Sequence, residues 1–164
     1  MRILFQSAYR DVSIRLTHWG SVNPLSSNVF HGEEFMDRRT ALNKNDCLAF
    51  PGLECVIDAP AGRGSSVLAY TGYYPDQEDP RIRHRVLIRE LFPYDPSGGI
   101  LRSKENALEI EKRSEVLYTH YRESFLRANE VHSRMAEEIP GELDLHINTF
   151  TCNNTLYSVM GYTG

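Results

Sequence analysis

SKENALEIEKRSEVLYTHYRESFLRANEVHSRMAEEI, residues 103–139, is the longest run of the chain with a single period, and its reading sets the fold. With Ile110 at heptad position a, Leu117, Ser124 and Val131 follow at a, and Ala107, Ser114, Tyr121, Ala128 and Met135 fall at d. Such a stripe predicts an amphipathic helix. Tyr118 and Phe125 widen it on one side and Val116 on the other. Glu109–Arg113, Glu123–Arg127 and Glu130–Arg134 each place glutamate four residues before arginine, the order worth about 0.2–0.5 kcal/mol per pair in an isolated helix. Ser103 suits the N-cap, and Pro140-Gly141 suits the stop. A straight helix over about 103–139 would span about 50 Å. A compact chain of this size has a radius of gyration of about 15 Å. The helix would then overhang its own domain, and a homodimer through the long helix is the expectation. The serines at core positions argue against a pure coiled coil, and a single long helix lying across a sheet is the alternative.

Outward from the helix, the period changes to two. Leu143, Leu145 and Ile147 alternate as a strand, Thr151–Asn154 reads as a turn, and Leu156–Tyr162 returns, with Asn153-Asn154 suited to the positive backbone angles of a hairpin. Before the helix, Ile82–Phe92 alternates strongly, and Leu53–Ala59 and Ser66–Tyr74 read as strands joined by the PAGRGS turn. Residues 2–7 and Val12–Leu16 predict a first hairpin. Residues 18–52, rich in Gly, Pro, Ser and Asn, carry no clear period beyond a short helix candidate at Glu33–Leu42. The fold class that follows is α+β: a mostly antiparallel sheet, the long helix packed on one face, and a closing β-hairpin. A single domain over 1–164 is expected, since no linker, repeat or low-complexity stretch divides the chain.

Composition excludes several classes. No apolar run approaches the ~18 residues of a membrane span, and the N-terminus lacks a signal peptide's apolar core. Three unevenly spaced cysteines (Cys47, Cys55, Cys152) give no disulfide framework and suit a reducing, cytoplasmic interior. The net charge of −4 argues against nucleic acid as a partner. Only Lys44, Lys104 and Lys112 among eighteen basic residues are lysines. Arginine is the better residue for forked contacts to carboxylate and phosphate.

Arginine is also where the site candidates lie. In RIRHRVLIRE, Arg81, Arg83, Arg85 and Arg89 share one parity with Leu87, while Ile82, His84, Val86 and Ile88 share the other. Same-side residues lie about 6.6 Å apart on a strand, a row suited to several anionic oxygens. The plain alternative is a strand face neutralised by Asp76, Glu78, Asp79 or helix glutamates. The turn Gly62-Arg63-Gly64 could supply backbone amides to an anion, although it lacks P-loop spacing and lysine; an ordinary hairpin turn is the favoured reading.

Other patterns are weaker. His31-Gly32-Glu33 has the H-x-E spacing that resembles the zinc deaminases, where histidine binds metal and glutamate moves the proton. The matching P-C-x-x-C is replaced by Cys47 and Cys55 with seven residues between them, so neither a metal nor any other cofactor is assigned. His146-x-Asn148-x4-Asn153 has the spacing of the phospholipase D signature with its lysine and aspartate replaced by asparagine, and turn formation accounts for those asparagines better. No histidine–serine pairing sits in a nucleophile-elbow context. The leading expectation is a binding or regulatory protein that engages an anionic small molecule, nucleotide-like or phosphorylated, through the arginine strand. An enzyme, hydrolase or transferase, on such a substrate is the second reading, with His31 and Glu33 as first suspects. The third is a protein-interaction or inhibitor module using Tyr70, Tyr73, Tyr74, Phe92 and Tyr94.

Overall fold

A computed structural model describes residues 37–138 and 146–162. The chain divides into two compact units, Met1–Met36 and Asp37–Gly164, and the described residues belong to the second. The hairpin expected over 2–16, most of the irregular segment, His31, Glu33 and Pro140-Gly141 lie outside them.

Among the described residues, alternation of apolar and polar residues produces six strands in one antiparallel sheet. They are β1 (Cys47–Phe50), β2 (Leu53–Arg63), β3 (Val67–Pro75), β4 (Arg83–Leu91), β7 (His146–Cys152) and β8 (Thr155–Gly161), in the spatial order β1-β2-β3-β4-β8-β7. Two short strands, β5 (Ile100–Arg102) and β6 (Leu108–Ile110), pair separately. Among the described residues one α-helix, α1 (Glu115–Glu138), follows a short 3-10 turn at Lys112–Ser114. This is the α+β architecture expected, with the helix on one face and a hairpin closing the sheet. Asn153 and Asn154 both take positive φ (50° and 57°) in that hairpin's turn.

The sheet curls until its two edges approach. Phe50 of β1 and Phe150 of β7 stack with ring centroids 4.4 Å apart, which closes the hydrophobic interior of a partial barrel. That interior holds Leu48, Ile57, Leu68, Tyr70, Val86, Ile88, Tyr157 and Val159, with Phe92, Ile100 and Leu108 covering one side. Helix α1 lies on the outside of the sheet, where Phe125 packs with Leu91 and Leu156 against Val67, Tyr118 and Tyr121.

Three expectations change. The helix begins at Glu115, not near Ser103. Residues 103–114 instead form the β5–β6 hairpin and the 3-10 turn. Asn106 takes a positive φ of 67°, and the Ser103 hydroxyl accepts the Glu105 amide inside the turn rather than capping a helix. Long-range bonds win over helical period there. Leu108 N donates to the Asn153 carbonyl at 2.8 Å, and Asn154 Nδ2 donates to the Leu108 carbonyl at 2.7 Å. A 24-residue helix spans about 36 Å, so the overhang that motivated a dimer is largely gone. The described part of the helix candidate at 33–42 is not helical. Asp37 accepts the Arg39 amide, and the Arg39 guanidinium reaches the carbonyls of Phe92 (2.6 Å) and Gly64 (2.8 Å), which holds the segment extended against the sheet. Finally, Tyr70 and Phe92 are fully buried and belong to the core, not to an aromatic surface.

Asp95 prepares the start of α1. Its carboxylate accepts the Ser114 hydroxyl at 2.6 Å, the Ser97 amide at 2.9 Å and the Gly99 amide at 2.9 Å. These bonds hold the Asp95 carboxyl below its ordinary range against the opposing effect of burial. Heptad position Ser114 is therefore a buried anchor and not part of an apolar seam.

Candidate functional site

The parity read for β4 holds in three dimensions. Val86, Ile88 and Glu90 face the buried interior, while Arg83, Leu87 and Arg89 look outward with Arg85. Each of the three arginines lies over an aromatic ring: Arg83 over Tyr73 at 4.4 Å, Arg85 over Tyr162 at 5.3 Å and Arg89 over Phe125 at 5.7 Å. Stacking engages the face of the guanidinium, whereas forked contacts to phosphate or carboxylate run in its plane. Arg81 is not part of this row. It sits in the turn before β4 and forms a forked ion pair with Asp79, at 3.0 Å. Asp76, the second expected neutraliser, takes His84 instead, at 2.8 Å.

Register places the neighbours of each outward residue. Leu87 is flanked by Thr71 of β3 and Met160 of β8; Arg89 is flanked by Ala69 and Ser158. Leu87, Thr71 and Met160 make an apolar platform one step from Arg89. Ser158 pairs onward with Thr149 of β7, whose hydroxyl accepts Asn129 Nδ2 of α1 at 3.2 Å. Ser158 Oγ is itself buried and has no hydrogen-bond partner among the described residues. The polar strip Arg89–Ser158–Thr149 therefore runs beneath the helix, next to Phe125 and Asn129. Sequence pattern did not single out Ser158, Met160 or Asn129, because their significance is a matter of cross-strand register.

The glycine turn lies at the Leu91 end of this face. Gly64 N bonds the Val67 carbonyl at 2.8 Å, and the carbonyls of Ser65 and Ser66 accept Tyr94 and Phe92 amides. Neither Gly62 nor Gly64 takes a positive φ, so the backbone lacks the alternation of an anion nest, and the hairpin reading describes it. Arg63 pairs with Asp37 at 3.0 Å. The Arg39 hydrogen bonds hold the Asp37 carboxyl well below the usual carboxylate range, with Arg63 adding to the effect.

A buried charge inside the barrel is a second suspect, since functional sites collect such groups. Glu90 is wholly buried and accepts four bonds: Arg102 Nη1 and Tyr157 Oη on one oxygen (3.0 and 2.6 Å), Arg102 Nη2 and Tyr70 Oη on the other (2.6 and 2.7 Å). Arg102 is completed by the carbonyls of Thr40 and Asn106. Burial, reinforced by Glu90, pushes both tyrosine hydroxyls up from their ordinary pKa. The network is satisfied and sealed, which suits a structural pin rather than a reaction centre. Among the described residues no group of histidine, cysteine and acidic side chains could hold a metal, and no helix is long and apolar enough to cross a membrane.

No protein-family model matches the sequence, and no curated protein matches it. A solved structure described as "PpkA-294 apo form" resembles the fold, with a TM-score of 0.55 at 18% identity, over 74% of this chain and 38% of that one. The chain thus spans well under two thirds of that structure's length, and the likeness concerns the fold alone.

Proposed function

We propose that the outer face of β4 binds a nucleotide-like, phosphate-bearing ligand, and that the chain serves as a binding or regulatory module. The observation that carries the reading is the juxtaposition of Arg89 with the Leu87 platform on the outward face of β4. An apolar surface one step from a guanidinium accommodates a base and its phosphates together, whereas an arginine row alone would suit any anion.

The order of parts supports the same ligand class. In protein kinases a glycine-rich turn between two strands covers the ATP phosphates, a lysine in a V-A-I-K run on the next strand holds them, and a glutamate on the following helix holds the lysine. Here Gly62-Arg63-Gly64-Ser65-Ser66 is the turn, Val86-Leu87-Ile88-Arg89 is the run, and α1 is the following helix. The departures bear on chemistry. Arginine replaces lysine, the ring of Phe125 stands over it where a glutamate would pair, and the third glycine is missing. The sequence contains neither H-R-D nor D-F-G. Phosphate binding survives these changes, since arginine grips phosphate by two donors. Phosphoryl transfer by these 164 residues does not.

Titration with ATP, pyrophosphate and adenosine, in low and moderate salt, tests this. ATP is expected to bind more tightly than either fragment, and more weakly as salt rises. Arg89→Ala and Arg85→Ala should each weaken ATP about tenfold, the loss of roughly 1.4 kcal/mol expected for one charged contact. Arg89→Lys should retain most binding, and Arg81→Ala, outside the row, should change nothing. Wild-type affinity in a folded Arg85→Ala/Arg89→Ala protein rejects the proposal.

A further inference from the structure

The barrel has a mouth at the end of β3 opposite the glycine turn. It opens into a cleft of about 380 Å³ walled by Phe50, Leu53, Tyr74 and Pro75, with Glu54 and Asp76 as its charged residues. Barrel mouths are a preferred place for small-ligand sites, and this volume falls at the small end of their range of about 300–1,000 Å³. The register Val56↔Tyr73 carries Glu54 alongside Pro75, and Asp76 follows directly at the end of β3.

Both are held in place. Asp76 accepts the amides of Glu78 (2.8 Å) and Asp79 (3.1 Å) on one oxygen and His84 Nε2 (2.8 Å) on the other. Those three bonds leave about one of its four acceptor positions. They also hold its carboxyl down at about 2, the His84 bond contributing most. The Tyr74 ring stacks on His84 at 4.9 Å, which fixes the imidazole that orients Asp76. One Glu54 oxygen accepts the Cys47 thiol at 3.2 Å. No lysine or arginine lines the cleft; the nearest arginine in register is Arg83, which pairs with Pro75 and lies over the Tyr73 ring.

We infer that this mouth binds a small organic cation: an aromatic or aliphatic body against Phe50, Leu53 and Tyr74, and a primary ammonium between Glu54 and Asp76. Anions are repelled by the two fixed carboxylates, and a neutral body alone leaves their remaining acceptor positions unused. Aromatic faces add cation–π attraction to the ammonium. The site shares no lining residue with the Arg89–Leu87 platform and does not depend on the nucleotide reading.

Tryptamine and its uncharged counterpart 3-ethylindole, titrated into the full chain and followed by amide NMR, decide it. Tryptamine should shift the amides of Gly52, Leu53, Tyr74 and Gln77, with the neutral compound at least tenfold weaker. Glu54→Gln, at an exposed position whose only described side-chain bond is to Cys47, should weaken tryptamine about tenfold while leaving the remaining spectrum intact. Asp76→Asn should do the same; if it disturbs the 76–79 turn, the Glu54→Gln result stands alone. Equal binding of the charged and neutral compounds, no binding of either, or an unchanged affinity in Glu54→Gln overturns the inference.

Discussion

Replacing Glu90 with alanine is expected to lower the unfolding free energy by about 3–5 kcal/mol, the usual cost of removing one partner from a buried ion pair. The loss is not that of one contact. Arg102, almost fully buried beside Glu90, would keep its charge with only two carbonyls to accept it, and the hydroxyls of Tyr70 and Tyr157 would lose their acceptor. Domains of this kind are stable by about 5–15 kcal/mol in all, so the variant should sit close to its unfolding transition at 37 °C. Urea unfolding followed by circular dichroism reads this directly, and a cost below 1 kcal/mol would refute the pin. Tyr157→Phe should cost about 1–3 kcal/mol, the penalty for one unsatisfied buried bond. The same network predicts alkaline sensitivity. Both tyrosines have pKa values raised in the folded state, so their contribution is complete below about pH 10, where unfolded tyrosine stays neutral. It declines as pH rises further, because only the unfolded chain can ionise them readily. In Tyr157→Phe the decline above pH 10 should be shallower.

This network also explains what sequence could and could not reveal. Strand parity was legible wherever one face is buried, so Val86, Ile88 and the outward arginines of β4 could be placed from alternation. Asn153-Asn154 announced its turn because few residues tolerate positive φ. The boundary of the helix was not legible. Residues 103–114 satisfy a helical period, but Arg102 is drawn inward by Glu90, a partner twelve residues earlier in the chain. Leu108 is likewise held by Asn153 and Asn154. Such long-range pairings override propensity and leave no local trace. The same holds for Ser158 and Met160, which gain meaning only when β8 is laid beside β4 in register. Arg39 was hidden for another reason. It sits in a segment with no period, and its role comes from two carbonyls, one 25 and the other 53 residues away.

Gly72→Ala is expected to cost about 1–3 kcal/mol, the range for forcing extra volume into a packed core, and to weaken ATP binding with it. Gly72 pairs with Ile57, next to the irregularity that bends β2 between Ile57 and Ala59. That bend brings the Val56 carbonyl over the glycine: an added methyl would lie 2.6 Å from its oxygen and 2.9 Å from Ile88 Cδ1. A side chain could rotate away, but the carbonyl belongs to the paired backbone and Ile88 is fully buried. β2 and β3 must therefore move apart. The displacement reaches the proposed site through two neighbours, since Thr71 pairs with Leu87 and Ile88 immediately precedes Arg89. Gly62→Ala is the control. There the nearest atom is Ala69 Cβ at 3.9 Å, an ordinary contact, and alanine in a strand is better by about 0.5–1 kcal/mol than glycine. Thermal melts should rank Gly62→Ala at or above wild type and Gly72→Ala several degrees below it. If the two variants melt together, close backbone approach is not what requires glycine at position 72.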